Sequence, residues 1–217
     1  MLRLKFDSGD RALRRILCFG AHCDDIEIGC GGTILRLIEE HPDLEVQWVV
    51  FGSDGPRREE GEASAKLFLK GAQTKRIVFH NFRDGFFPYD GKEIKECFLA
   101  LERETAPDLI FTHYRHDLHQ DHRLISELTW NSFRDHLILE YEIPKYDGDL
   151  GVPNVFVPLE SEVCNRKIEY LLSSFESQKG KYWFTEDTFL SLLRIRGVEG
   201  RSPTRYAEAF HCRKLQL

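Results

Sequence analysis

Apolar residues fall into short unbroken runs separated by segments with helical spacing. Residues 14–21 (RRILCFGA) end at Gly-Ala and predict a buried strand. GCGGTILRLIEEHP predicts a helix: Ile34, Leu35, Leu37 and Ile38 share a face and Pro42 closes it. EVQWVVFGSDG is a second strand running into a Gly-containing turn, and REEGEASAKLFLKGA a second helix. KRIVFHNF is a third strand, RDGFFPYDG a loop rich in aromatic and turn residues, and KEIKECFLALERETAP a third helix. DLIFTH and DHRLISELTWNSFRDH complete a fourth strand and helix. The strands lack two-fold alternation, as strands covered on both faces do. The order predicts an α/β fold: a Rossmann-like three-layer sandwich, a mostly parallel sheet with helices on both faces.

After residue 137 the order is less regular. LILEYEI and NVFVPL predict strands around the turn-rich PKYDGDLGVP. RKIEYLLSSFESQ has a helical stripe of Ile168, Leu171, Leu172 and Phe175, and EDTFLSLLRIRG is another helix. RYAEAFHC is either a last strand or a docked tail. No repeat, low-complexity tract or linker divides the chain. We therefore expect one domain over residues 1–217, its C-terminal third (about 137–217) forming a wall of the site.

Composition narrows the setting. With 41% hydrophobic and 30% charged residues, the chain reads as soluble and globular. A net charge of −6 argues against nucleic acid as a general partner, although Arg57 and Arg58 stand together. The charged N-terminus MLRLKFDSGDRALRR has no leader-like apolar stretch, and no run approaches membrane-spanning length. None of Cys18, Cys23, Cys30, Cys97, Cys164 and Cys212 forms CxxC, and most sit in apolar segments. Reduced thiols and a cytoplasmic location are the expectation, with no membrane partner.

The chemistry gathers in two segments. ILCFGAHCDDIEIGCGG places His22, Asp24 and Asp25 after the first strand, and LIFTHYRHDLHQDH places His113, His116, Asp117, His119, Asp121 and His122 after the fourth. Ligands in open parallel sheets bind beyond the carboxyl ends of strands, so both loops belong to one rim. His22, Asp25 and His122 would make a catalytic zinc set of three protein ligands, with a water acidified towards about 7. Asp24 and His119 remain for proton transfer and oxyanion support, and Asp121 for holding the ring of His119.

AHCDDIEIGCGGTI resembles the AHPDDExxxGCGGT signature of the LmbE-like, or PIG-L-type, zinc-dependent N-acetylglucosaminyl deacetylases. HQDH at 119–122 resembles that family's HPDH. SDGPRREEGEASAKLF is similar to its G…RxxE…A segment through Arg57 and Glu60, RDGFF to its Asp-Gly loop through Asp84, and ESQ and YAEAF to its C-terminal elements. The resemblance implies a Rossmann-like fold, one Zn2+ and hydrolysis of an N-acetyl group on a glucosamine-type sugar. It implies His22, Asp25 and His122 as zinc ligands, Asp24 as general base, and His119 as the imidazole serving the tetrahedral intermediate and the amine. It leaves a homo-oligomer open. Cys23 and Gln120 replace the usual prolines; Cys23 puts a soft ligand beside the metal and, if exposed, an oxidisable thiol. Ile26 stands where the family often has Glu, and Glu27 follows.

Plainer readings stand beside these. Asp24-Asp25 alone would be a helix N-cap pair. GCGG does not fit GxGxxG and carries no dinucleotide site; its glycines more simply let the helix approach the sheet. His116-Asp117 matches the HD pair of phosphohydrolases, but follows a β-like run. His113 and His116 read as surface or supporting histidines, and Asp117 as loop support or a substrate contact. Arg57 and Glu60 suit an i,i+3 ion pair as well as substrate contact. Asp84 is a turn residue or a sugar-hydroxyl contact, and Glu208 lines the pocket or faces solvent. The expected activity is removal of acetyl from an N-acetylamino sugar, free, nucleotide-linked or conjugated. The alternatives are an amidase for larger acyl groups and a non-catalytic sugar-binding protein.

Overall fold

A computed structural model describes residues 12–216. Most of the charged N-terminal segment lies outside the described residues. The elements are β1 (Arg15–His22), α1 (Asp25–Glu40), β2 (Glu45–Gly52), α2 (Pro56–Phe68), β3 (Thr74–Phe79), α3 (Gly91–Glu104) and β4 (Leu109–His113). There follow α4 (Gln120–Ser132), β5 (Leu137–Tyr141), β6 (Val155–Leu159), α5 (Ser161–Ser174), α6 (Glu186–Glu199) and β7 (Tyr206–Cys212).

The seven strands form one sheet in the order β3-β2-β1-β4-β5-β7-β6. β1 to β5 run parallel, and β7 lies antiparallel between β5 and β6. The expected mostly parallel sheet is therefore present, and YAEAF is a strand. Alternation along β1 divides the core. Ile16 and Cys18 face a cluster with Ile34, Phe68, Ile168 and Leu193, under α1, α2, α5 and α6. Leu17 and Phe19 face the other cluster with Phe98, Ile125 and Phe133, under α3 and α4.

Two glycines show why α1 lies so close to the sheet. A Cβ at Gly29 would stand 2.1 Å from the ring of Tyr141, and one at Gly32 would stand 2.5 Å from Leu159. The GCGG run is a packing device, as its plainer reading holds. Chain order reverses between β1 and β4, whose carboxyl ends carry the two motif loops. This is the switch point where open α/β sheets open a crevice.

Several boundaries differ from expectation: α4 ends at Ser132 rather than at His136, and α2 at Phe68 rather than near Gly71. α1 begins at Asp25 rather than at Gly29, because Asp24 turns the chain with φ 104° and launches the helix early. α5 stops at Ser174, and Glu176–Gln178 form a separate 3-10 turn rather than its last turn.

Candidate metal and catalytic site

The β1 carboxyl end delivers His22 into the crevice, and its backbone N–H donates to Asp25 Oδ2 at 2.6 Å. From the opposite loop, the N-terminus of α4 delivers His122. His22 Nδ1 and His122 Nε2 face each other at 3.3 Å. Asp25 stands beside both, 3.5 Å from His22 Nδ1 and 3.5 Å from His122 Nε2. All three side chains are buried and could hold one ion.

The outer nitrogens of both rings are already engaged. His122 Nδ1 meets Asp117 Oδ2 at 2.9 Å. His22 Nε2 meets Asp84 Oδ1 at 3.0 Å and Asp121 Oδ2 at 3.1 Å. Carboxylates on those atoms favour N–H there, so the inward nitrogens present lone pairs. In the metal-free chain, against burial, Asp121, Asp25 and Asp84 raise His22 well above the usual histidine range, so an ion entering between the two inward nitrogens and the Asp25 carboxylate displaces a proton. A divalent cation fits that donor set, and His₂Asp chemistry suits zinc.

Charge follows the geometry. Burial alone would raise the Asp25 carboxyl, but His122 and His113 outweigh it and hold the group well below the usual carboxylate range. Burial, reinforced by His113, pushes His122 down to about 4, which keeps it neutral as a ligand must be. Burial pushes Asp24 up to about 7, against the pull of Arg57. A carboxyl in that range both takes and returns a proton near neutrality.

Asp24 is held in place by Arg57, whose Nη2 donates to Cys23 O at 2.6 Å and to Asp24 Oδ1 at 3.1 Å. Its Nη1 lies 3.6 Å from Asp84 Oδ2. His119 caps α4: its Nδ1 accepts the Asp121 backbone N–H at 3.2 Å. That bond places the ring proton on Nε2, which stands 3.9 Å from Asp84 Oδ1. Burial lowers the His119 pKa and keeps the ring neutral.

Several residues stand elsewhere than expected. The Asp121 carboxylate does not hold the His119 ring, because the helix cap brings only its backbone N–H there. The carboxylate accepts from Gly85 N at 2.6 Å and Phe87 N at 3.2 Å and fixes His22. Asp117 is loop support: it holds His122, accepts the His119 backbone N–H at 2.8 Å and pairs with Lys145 at 3.0 Å. Glu60 does not pair with Arg57; it accepts from Ser177 N and Oγ at 2.8 and 2.5 Å and tethers the 3-10 turn to α2. Glu208 neither faces solvent nor touches this cluster. It is buried behind α1, bonded to Lys167 Nζ at 2.6 Å and to the N–H groups of Gly32 and Thr33.

Cys23 is buried, its Sγ 3.7 Å from Gly52 O, and burial pushes the thiol far up, so it is neither a ligand in any candidate metal group nor exposed to oxidants. Glu27 is likewise buried, and burial raises its carboxyl to about 8. His116 is exposed, whereas His113 is fully buried. His113 stacks on His122 at 3.9 Å and reaches Asp25 Oδ2 at 3.2 Å. Its position as the last residue of a strand buried on both faces was the signal for that support. Lys145 carried no local signal.

The sequence profile of the GlcNAc-PI de-N-acetylase family, PIG-L, matches residues 17–133, the span carrying every group of this cluster. The chain belongs to that family. The uncharacterized deacetylase YaiS of Escherichia coli is 27% identical over 164 residues, covering 72% of this chain and 88% of that protein. The diacetylchitobiose deacetylase of Thermococcus kodakarensis is 26% identical over 138 residues, 56% of this chain and half of that protein. The solved N,N'-diacetylchitobiose deacetylase of Pyrococcus horikoshii superposes with a TM-score of 0.71 at 23% identity, over 93% of this chain and 84% of that one. This PIG-L family member thus shares its fold with solved deacetylases. Among its described residues no helix is long and apolar enough to cross a membrane.

Proposed function

We propose that this chain is a metal-dependent N-deacetylase that hydrolyses the N-acetyl group of an amino sugar, free or conjugated. The observation that carries the reading is the pairing of a buried His22–Asp25–His122 donor set with two further groups. These are Asp24, whose carboxyl is raised to about 7, and a neutral His119 whose Nε2–H is free of the helix cap. His22, Asp25 and His122 would hold a divalent cation, zinc by ligand type, which would supply Lewis acidity.

The residues then divide the work. Arg57 holds the Asp24 carboxylate, which takes the proton of the attacking water. His119 donates its Nε2–H to the oxygen that gains charge as the carbonyl becomes tetrahedral. The C–N bond breaks as Asp24 returns its proton to the amine nitrogen, so water and amide become acetate and a free amine. Asp84 carries the remaining open acceptor at the rim and is suited to a sugar hydroxyl. Asp121 and Asp117 act on the rings of His22 and His122.

The test combines metal content with acetate release from N-acetylated amino sugars. About one zinc per chain, lost in His122→Ala together with activity, is the expected result. A chain that holds no metal after zinc soaking, or that hydrolyses no N-acyl sugar, overturns it. A panel of longer N-acyl groups separates deacetylation from a broader amidase.

A further inference from the structure

The loop between β4 and α4 carries Asp117 and His119, and a turn from the C-terminal third grips it. Gly148 takes φ 63°, a left-handed conformation that lets the chain double back after β5 and bring Asp149 onto Lys145. The Lys145 ammonium then lies between two carboxylates. It pairs with Asp149 Oδ2 and stands 3.0 Å from Asp117 Oδ2. The same Asp149 oxygen accepts the Leu118 N–H at 2.7 Å. Only 9% of the Lys145 side chain, 3% of Asp117 and 5% of Asp149 remain exposed, so water does not stand in for the ammonium.

The Asp117 carboxylate receives three donors. Oδ1 accepts the His119 N–H at 2.8 Å, and Oδ2 faces both His122 Nδ1 at 2.9 Å and Lys145. Arg123 of α4 also holds this loop, but through the carbonyls of Asp117 and Leu118. Those bonds fix the backbone and leave the Asp117 side chain free to turn. Among the described residues Lys145 is the one ammonium or guanidinium paired with that carboxylate.

Resting on the reading of His22, Asp25 and His122 as metal ligands, we propose that Lys145 is a positioning residue for His122 and His119. Its ammonium keeps the Asp117 carboxylate on the His122 ring. With Asp149 it keeps the 117–119 loop where His119 Nε2 faces Asp84. Without the ammonium, Asp117 and Asp149 are two buried like charges facing one another, and Asp117 turns away from His122. Removing the charge of Asp149 as well relieves the repulsion, and an asparagine there still accepts the Leu118 N–H. Asp117 then still lacks the cation that held it. The geometry therefore orders the variants: the single loss of Lys145 is worse than the double change, and the double change is worse than the loss of the Asp149 charge alone.

The experiment measures zinc affinity by competition with a chromogenic chelator in wild type, Lys145→Met, Asp149→Asn and the double variant, with denaturant unfolding in parallel. An orienting carboxylate behind a metal-binding imidazole is worth about 10- to 100-fold in affinity, so Lys145→Met is expected near the upper end and the double variant near the lower. Asp149→Asn is expected to stay within about threefold of wild type, since neighbouring charges do not act additively. Lys167→Met, which breaks a similarly buried pair behind α1, is expected to lose stability and keep its zinc. On an N-acetylated amino sugar at saturating zinc, Lys145→Met should lose kcat about 10- to 100-fold with KM little changed, because a displaced His119 fails the transition state. Unchanged zinc affinity in Lys145→Met overturns the proposal, even if stability falls, because Lys145 would then be a strut like Lys167. If Lys145→Met does not fold, the double variant against Asp149→Asn decides, and equal affinities overturn it. A wild type that binds no zinc removes the metal reading instead. Hydrogen exchange of the Leu118 and His119 amides then decides the clamp: it should quicken in the double variant relative to Asp149→Asn, and unchanged exchange overturns it.

Discussion

Two buried charge clusters flank α1, and they are built on opposite principles. Behind the helix, Glu208 is complete: Lys167 and two backbone N–H groups satisfy it, and nearby Arg196 grips Glu142 with two bonds of 2.6 Å. In front, three donors converge on one point with their protons directed outward. The first cluster is closed and holds the sheet to its helices. The second is deficient by one positive charge centre and is organised to receive one. Burial by itself therefore says little about role; the balance of donors and acceptors separates a strut from a site.

The comparison is most sharply broken at Asp24. Asp24→Asn should retain the cation, because the three donors are untouched, and lower turnover about 10²- to 10⁴-fold, as loss of a general base does. Acetate-release kinetics beside elemental analysis reads both. Near-normal turnover would remove Asp24 from proton transfer.

On the closed side, Lys167→Met leaves Glu208 buried without its cation. Breaking such a pair costs about 3–5 kcal/mol. Denaturant unfolding should show that loss, whereas His122→Ala, which opens a small cavity but also removes one of the crowded acceptors, should cost the metal-free protein less. Equal losses in both variants would erase the distinction.

The next effect is at Asp117, which belongs to the front cluster but behaves as a strut for His122. Asp117→Asn should weaken zinc about 10- to 100-fold, the usual cost of losing a carboxylate behind a metal-binding imidazole. Competition with a chromogenic chelator measures it. An unchanged affinity would mean that the His122 ring is fixed by its stack on His113 instead.

Legibility in the sequence follows the same divide. The placement of His22, Asp24, Asp25, His119 and His122 was readable because each lies at a strand end or in the loop and helix start that follow it, and strand ends share one rim. The parallel sheet was readable from its unalternating apolar runs. The start of α1 was not, since the left-handed turn at Asp24 leaves no mark in the apolar spacing. Partner choice was also hidden. Asp121 lies beside His119 in sequence yet serves His22, 99 positions away, and Glu208 finds Lys167 across 41. Spacing shows which residue types lie near a strand end. Which carboxylate faces which ring is set by long-range packing.

The smallest effect is at Glu60, where a motif residue acts as a strut outside both clusters. Its carboxylate ties the turn at Ser177 to α2 through two hydrogen bonds, and it touches no group of the catalytic set. Glu60→Ala should cost about 1 kcal/mol, the net worth of such bonds where water competes. Chemistry on a monosaccharide should persist, because Asp24 and Arg57 keep their contacts. The change should appear in local order: hydrogen exchange of residues 176–184 should quicken while α2 and β1 stay protected. If instead monosaccharide turnover collapsed with exchange unaltered, Glu60 would be a substrate contact, and the motif's second charged position would belong to the site.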